Sequence, residues 1–130
     1  MKGIIFFLMM LIGTAGAATA RAVICPDYLS QKQNYLFNAG LTVGKGNNPE
    51  DMAVFQEIVP DDGYVNHGVG VQSYHLEQYI TGMAQIFLIC VYNNGQSLDI
   101  LLSKSTRLCI KKYDNNRGKN SPYIILFSCS

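Results

Sequence analysis

Four cysteines constrain this chain more than any other feature: Cys25, Cys90, Cys109 and Cys129. None belongs to a C-x-x-C pair, the spacing used by zinc knuckles and thioredoxin-type redox sites. An even number of well-separated cysteines implies two disulfides if the chain folds in an oxidising compartment. Four cysteines permit three connectivities, and spacing does not choose among them. Cys25–Cys90 with Cys109–Cys129 is the preferred pairing. The first bridge would pin the N-terminal segment to a central strand, and the second would close the final loop. Each bridge contributes about 2–4 kcal/mol, mainly by restricting the unfolded chain, against a total stability of about 5–15 kcal/mol.

The N-terminus says which compartment to expect. In "MKGIIFFLMMLIGTAGAATA", Lys2 supplies a positive start, Ile4 to Ile12 an uninterrupted apolar run, and Ala18-Thr19-Ala20 a small-residue cleavage signal. Residues 1–20 therefore read as a secretory signal peptide, too short for a stable span. Ala15-Gly16-Ala17 offers a second cleavage site, and Ile24 before Cys25 argues against lipid attachment. Residues 21–130 are expected to form one small disulfide-stabilised domain, in the periplasm or outside the cell. No second apolar stretch reaches membrane length, so no stable span is expected after cleavage. The whole chain has ten basic and nine acidic residues, so losing Lys2 leaves the two signs balanced. A neutral chain has no general attraction for nucleic acid or anionic lipid. The late basic residues Lys104, Arg107, Lys111, Lys112, Arg117 and Lys119 read as a solvated face and a loop.

The strongest strand signal is "AQIFLICVY", 84–92, apolar on both alternating faces, with Ile86, Leu88 and Cys90 on one and Phe87, Ile89 and Val91 on the other. That pattern predicts a strand covered on both sides. Asn93-Asn94-Gly95 predicts a hairpin turn, and Leu98, Ile100 and Leu102 alternate with Asp99 in the return strand. Further strands are expected at 107–112 and 123–129, the latter with Tyr123, Ile125, Phe127 and Cys129 on one face. The polar stretch 113–122 separates them as a loop, so the last half reads as an antiparallel meander. Residues 33–44 suit one strand, or two broken at Gly40. In 47–59, Asn48, Pro49, Glu50 and Asp51 favour a helix start over a strand. Residues 60–70 read as a loop, and 71–80 suit strand or helix. The expected fold is mainly β: a small antiparallel meander or sandwich-like domain with two disulfides and at most one or two short helices.

Candidate chemistry is sparse. His67 and His75 are the two histidines. They could pair as general acid and base, but nothing in the sequence places them together. Asp61, Asp62 and His67 are weak metal candidates, lacking both the calcium-loop pattern and H-E-x-x-H. Turn chemistry explains the same residues. "GLTVGKG", 40–46, is one residue short of a phosphate loop, and no serine lies in a G-x-S-x-G setting. No catalytic residue and no cofactor is assigned. Tyr64, Tyr74 and Tyr79, interspersed with His67 and His75 in the least regular region, suit a recognition surface instead.

The order Cys25-Pro26, Cys90-x-Tyr92, Cys109 and a terminal "FSC" resembles small exported, cysteine-bridged proteins of Gram-negative bacteria. In that group a C-x-Y strand precedes a hairpin and a cysteine closes the chain. The resemblance implies a periplasmic or secreted location and a β-rich domain, and carries no catalytic residues across. This chain lacks the tryptophan often found in the group.

The expected function is binding, with another protein as the partner, as an inhibitor, an immunity-type protein or a secreted host-facing factor. The alternatives are a small exported hydrolase and a structural accessory of an envelope assembly.

Overall fold

A computed structural model describes residues 22–116 and 124–130. The signal-peptide reading at 1–20, Tyr123 and most of the 113–122 loop lie outside the described residues. Among the described residues nine strands follow in order: β1 Val23–Ile24, β2 Leu36–Gly44, β3 Phe55–Ile58, β4 Asp62–Asn66, β5 Val69–His75, β6 Gln85–Tyr92, β7 Ser97–Leu101, β8 Leu108–Asp114 and β9 Ile124–Cys129. A 3-10 turn, Glu77–Tyr79, stands between β5 and β6.

The strands form two antiparallel sheets, ordered β1-β9-β8-β5-β4 and β3-β2-β6-β7. One apolar cluster holds them together. Leu41, Leu88, Cys90 and Tyr92 enter it from the second sheet, and Tyr74, Cys109, Phe127 and Cys129 from the first. Burying both inner faces is the usual solution for two amphipathic sheets. The β6–β7 and β8–β9 pairs lie in different sheets, so the last half of the chain is two antiparallel pairs in separate layers and not the single meander expected.

The disulfides adopt the preferred pairing. Cys25–Cys90 joins the end of β1 to β6 and so links the two sheets. Cys109–Cys129 joins directly opposed residues of β8 and β9. Leu108 and Ser130 exchange both backbone bonds, which makes the adjacent Cys109–Cys129 pair non-hydrogen-bonded. Strands come closest at such pairs, and here the Cα atoms are 4.0 Å apart.

The 84–103 hairpin forms as expected. Gly95 N–H donates to the Tyr92 carbonyl, Tyr92 N–H donates to the Gln96 carbonyl, and Gly95 takes φ 90°. This is a three-residue loop closed by a left-handed glycine. Only one face of β6 is sealed. Ile86, Leu88 and Cys90 are buried in the core, and Phe87 is covered by Phe55 at 5.6 Å between ring centres. Ile89 and Val91 are half-buried on the outer face.

Three other readings change, and one open alternative is decided. Residues 49–54 form successive turns, with no helix. The Asn48 and Asp51 side chains accept the N–H groups of Glu50 and Ala53, while Val54 and Phe55 N–H both donate to the Asp51 carbonyl. Such local side-chain bonds favour turns over helix propagation. Phe55–Ile58 is then drawn into pairing with β2. Of the two alternatives for 33–44 the single strand is found: Gly40 does not break β2, whose irregularity lies between Leu36 and Asn38. The 60–70 segment is the tip of the β4–β5 hairpin, turning at His67 (φ 51°) and Gly68 (φ 78°). Two consecutive positive φ values make the two-residue turn whose twist suits a hairpin. In β9 a register shift opposite Lys112/Tyr113 puts Ile124 inward and leaves Ile125 exposed, while Phe127 and Cys129 face the core as expected. The bulge reverses the alternation at that point.

Candidate recognition surface

The alternation of β5 decides which residues of the 60–80 segment reach the surface. Tyr74 is 4% exposed and stacks on Phe127 at 5.4 Å. Gly70 and Gln72 share its inward face, and the ring of Tyr113 occupies the space a Cβ on Gly70 would need. Val71, Ser73 and His75 therefore face outward. Tyr64 lies opposite Val71 and shares that outer face, at 62% exposure.

The structure thus separates the five proposed recognition residues. Tyr64, His67 and His75 are exposed on one hairpin and its exit. Tyr74 belongs to the core, and Tyr79, half-buried in the 3-10 turn, packs against it. Strand alternation overrides the compositional signal at Tyr74, and the 3-10 turn sets Tyr79 against the core.

The acidic residues lie at the base of the hairpin. Asp61 Oδ2 accepts the His75 N–H at 2.6 Å, and His75 Nε2 lies 3.6 Å from Asp62 Oδ2. Both side chains of the latter pair are largely exposed, so the contact contributes little to stability. Asp61, His75, Glu77 and Gln78 line a shallow hollow of about 320 Å³. Among the described residues no three histidine, cysteine, aspartate or glutamate side chains are grouped to hold a metal. His67 lies in the turn, with Asp61 at the opposite end of β4.

β4 itself is the most open element. All five of its residues are exposed, and it is the last strand of its sheet. Its outward backbone groups follow from the hydrogen bonds of its neighbours. Leu76 N–H donates to Arg107 and Asn115 N–H to Gly68, so the even-numbered residues of β5 bond towards β8. Val69 and Val71 then bond towards Asn66 and Tyr64 of β4, and at the base of the strand the Ser73 carbonyl accepts the Asp61 N–H at 2.8 Å. The N–H and C=O groups of Gly63 and Val65 are left pointing out of the sheet. No proline, lysine or bulge interrupts the paired length of β4, although these are common protections of an edge.

Two apolar features elsewhere were not anticipated. Met52, Val54 and Met83 are exposed at one end of the second sheet, beside a groove of about 400 Å³ lined in part by Met52 and Val54. The turns at 49–54, where the sequence favours a helix start, leave Met52 exposed. On the outer face of the same sheet, Gly40, Thr42, Ile89 and Val91 line a trough of about 230 Å³. The buried Thr42 Oγ1 there has no hydrogen-bond partner. The adjacency of small residues on β2 to apolar ones on β6 is visible only once the strands are paired.

Two disulfides are compatible with an extracellular or periplasmic location. Among the described residues no helix is long and apolar enough to cross a membrane. No family model, curated protein or solved structure matches this chain.

Proposed function

We propose that this is an exported binding protein that acts by protein–protein recognition through the β4–β5 hairpin. The observation that carries the reading is β4, a sheet-edge strand exposed at every residue, with Tyr64 and Val65 on its two faces. An open edge offers main-chain hydrogen bonds to an extended partner segment, and the flanking side chains supply selectivity. Tyr64 provides an aromatic anchor of the kind that carries a large share of interface energy. The balanced charge of residues 21–130 favours a protein partner over a polyanion. An inhibitor, an immunity-type protein and a host-facing factor all operate in this way. The resemblance to exported, cysteine-bridged proteins and the signal-peptide pattern supply the compartment.

The test is capture from periplasm and culture fluid with the wild-type chain and with Val65→Pro. Val65 points its N–H away from β5, so proline there removes an outward donor and spares the hairpin's own bonds. The reading expects a protein retained by wild type and lost with Val65→Pro. Equal retention by both would place recognition elsewhere.

A further inference from the structure

The outward edge of β4 is self-complementary. We infer that its occupant is a second copy of this chain, paired antiparallel about a twofold axis at Tyr64; this rests on the reading of β4 as the recognition edge. The sequence from Asp62 to Asn66 is Asp-Gly-Tyr-Val-Asn. Antiparallel pairing centred on Tyr64 sets Gly63 opposite Val65 of the second copy, and Val65 opposite Gly63. These are the two residues whose backbone groups point outward. Each pair exchanges two N–H···O=C bonds, giving four across the axis.

The side chains fit the same register. Tyr64 meets Tyr64 of the second copy at a non-hydrogen-bonded pair, where side chains approach most closely and aromatic pairs stabilise. Gly63 leaves room beside Val65 of the second copy. Asp62 faces Asn66, so no like charges oppose each other, and His67 at each turn lies towards the acidic base of the other hairpin. Centring the axis one residue earlier, on Gly63, would set Asp62 against Tyr64 and leave glycine facing glycine. Centring it on Val65 would set Val65 against its own copy and Gly63 against His67 in the turn, leaving one bonded pair within the strand. Only the register centred on Tyr64 pairs both outward residues, Gly63 and Val65, within β4. The product is a continuous sheet of ten strands, five from each copy, with the open edge of each β4 closed by the other. Isologous pairing of this kind closes on itself and does not propagate.

Sedimentation equilibrium of the disulfide-intact protein over a wide concentration range tests the inference. Wild type is expected to show a reversible monomer–dimer equilibrium. Val65→Pro removes two of the four bonds by symmetry and should weaken dimerisation about thirtyfold. Tyr64→Lys, which sets two cations across the axis, should also leave the chain monomeric while its circular dichroism stays unchanged. An isotope-filtered NOE between Tyr64 rings of labelled and unlabelled wild-type chains reads the register without any substitution. Wild type that remains monomeric throughout, or Val65→Pro that dimerises as wild type does, overturns the inference. If wild type is monomeric yet Val65→Pro still abolishes capture of a foreign protein, self-pairing fails and recognition through β4 stands. If capture is also unaffected, both fail.

Discussion

The buried hydroxyl of Tyr92 donates a 2.9 Å hydrogen bond to the carbonyl of Pro26. Cys90, two residues before Tyr92 on the same face of β6, is bonded to Cys25, the neighbour of Pro26. The Cys-Pro and Cys-x-Tyr sequences are therefore the two halves of one clasp between the sheets. Alternation in a strand explains the spacing, because residues two apart point the same way.

Loss of that hydroxyl tests the clasp. Tyr92→Phe keeps the ring in the core and removes one hydrogen bond, so unfolding free energy should fall by about 1 kcal/mol. Urea denaturation should show a lower midpoint with an unchanged slope. An unchanged midpoint would mean that the bond contributes nothing.

The same group gives the fold a sensitivity to alkali. Burial, and then the nearby Asp27 carboxylate, raise the Tyr92 pKa above the ordinary tyrosine value. The folded state therefore holds this proton more tightly than the unfolded state. The associated stability is present below about pH 10 and is lost as pH rises through the folded-state value. Denaturation curves should converge for wild type and Tyr92→Phe on the alkaline side, because only wild type loses this contribution.

The two bridges differ in what they restrain. Cys25–Cys90 closes 65 residues of sequence and Cys109–Cys129 closes 20. On the chain-entropy account, replacing the first pair by serine should cost about 1 kcal/mol more than replacing the second. Alkylation without reductant should label no cysteine in the wild-type protein, as the described structure has none free.

Tyr64 and Tyr74 should separate cleanly. Tyr74→Ala empties a core position stacked on Phe127 and should destabilise by about 3–5 kcal/mol. Tyr64→Ala truncates a largely exposed ring, so stability should change by less than about 0.5 kcal/mol while binding weakens. Thermal melts of the two variants check this directly. Comparable melting temperatures would contradict the assigned faces of β4 and β5.

Gly44 reports on the approach of β2 to β3. A Cβ there would collide with the Val54 carbonyl oxygen and lie 2.7 Å from Phe55 Cγ. Backbone cannot yield as a flexible side chain can, so Gly44→Ala should cost about 1–3 kcal/mol. A wild-type melting temperature would show that the strands separate there more readily.

Much of this architecture is written in local signals. The apolar density of 84–92, the Asn-Asn-Gly turn and the cysteine count led to the β6–β7 hairpin, the mainly β fold and two disulfides. What escaped local reading depended on partners distant in sequence. The helix signals at Asn48 and Pro49 yielded to the pairing of Phe55–Ile58 with β2. The bulge that exposes Ile125 arises from register with β8. At the candidate surface, composition pointed to the tyrosines but not to their faces. Tyr64 and Tyr74 differ only in which side of a strand they occupy, and that was decided by the placement of the core. The free edge of β4 was invisible, because 60–70 reads as a loop until β5 supplies its partner.

The proposed function rests on recognition of other polypeptide through the edge of β4. The most direct measurement is photocrosslinking in intact producing cells, with a photoreactive phenylalanine analogue at Tyr64 and, separately, at Leu101. Leu101 is also an exposed edge-strand residue, but it lies on the second sheet. The account predicts discrete protein adducts from position 64, including one at twice the chain mass, and none of comparable yield from position 101. Adducts from 101 with none from 64 would contradict it.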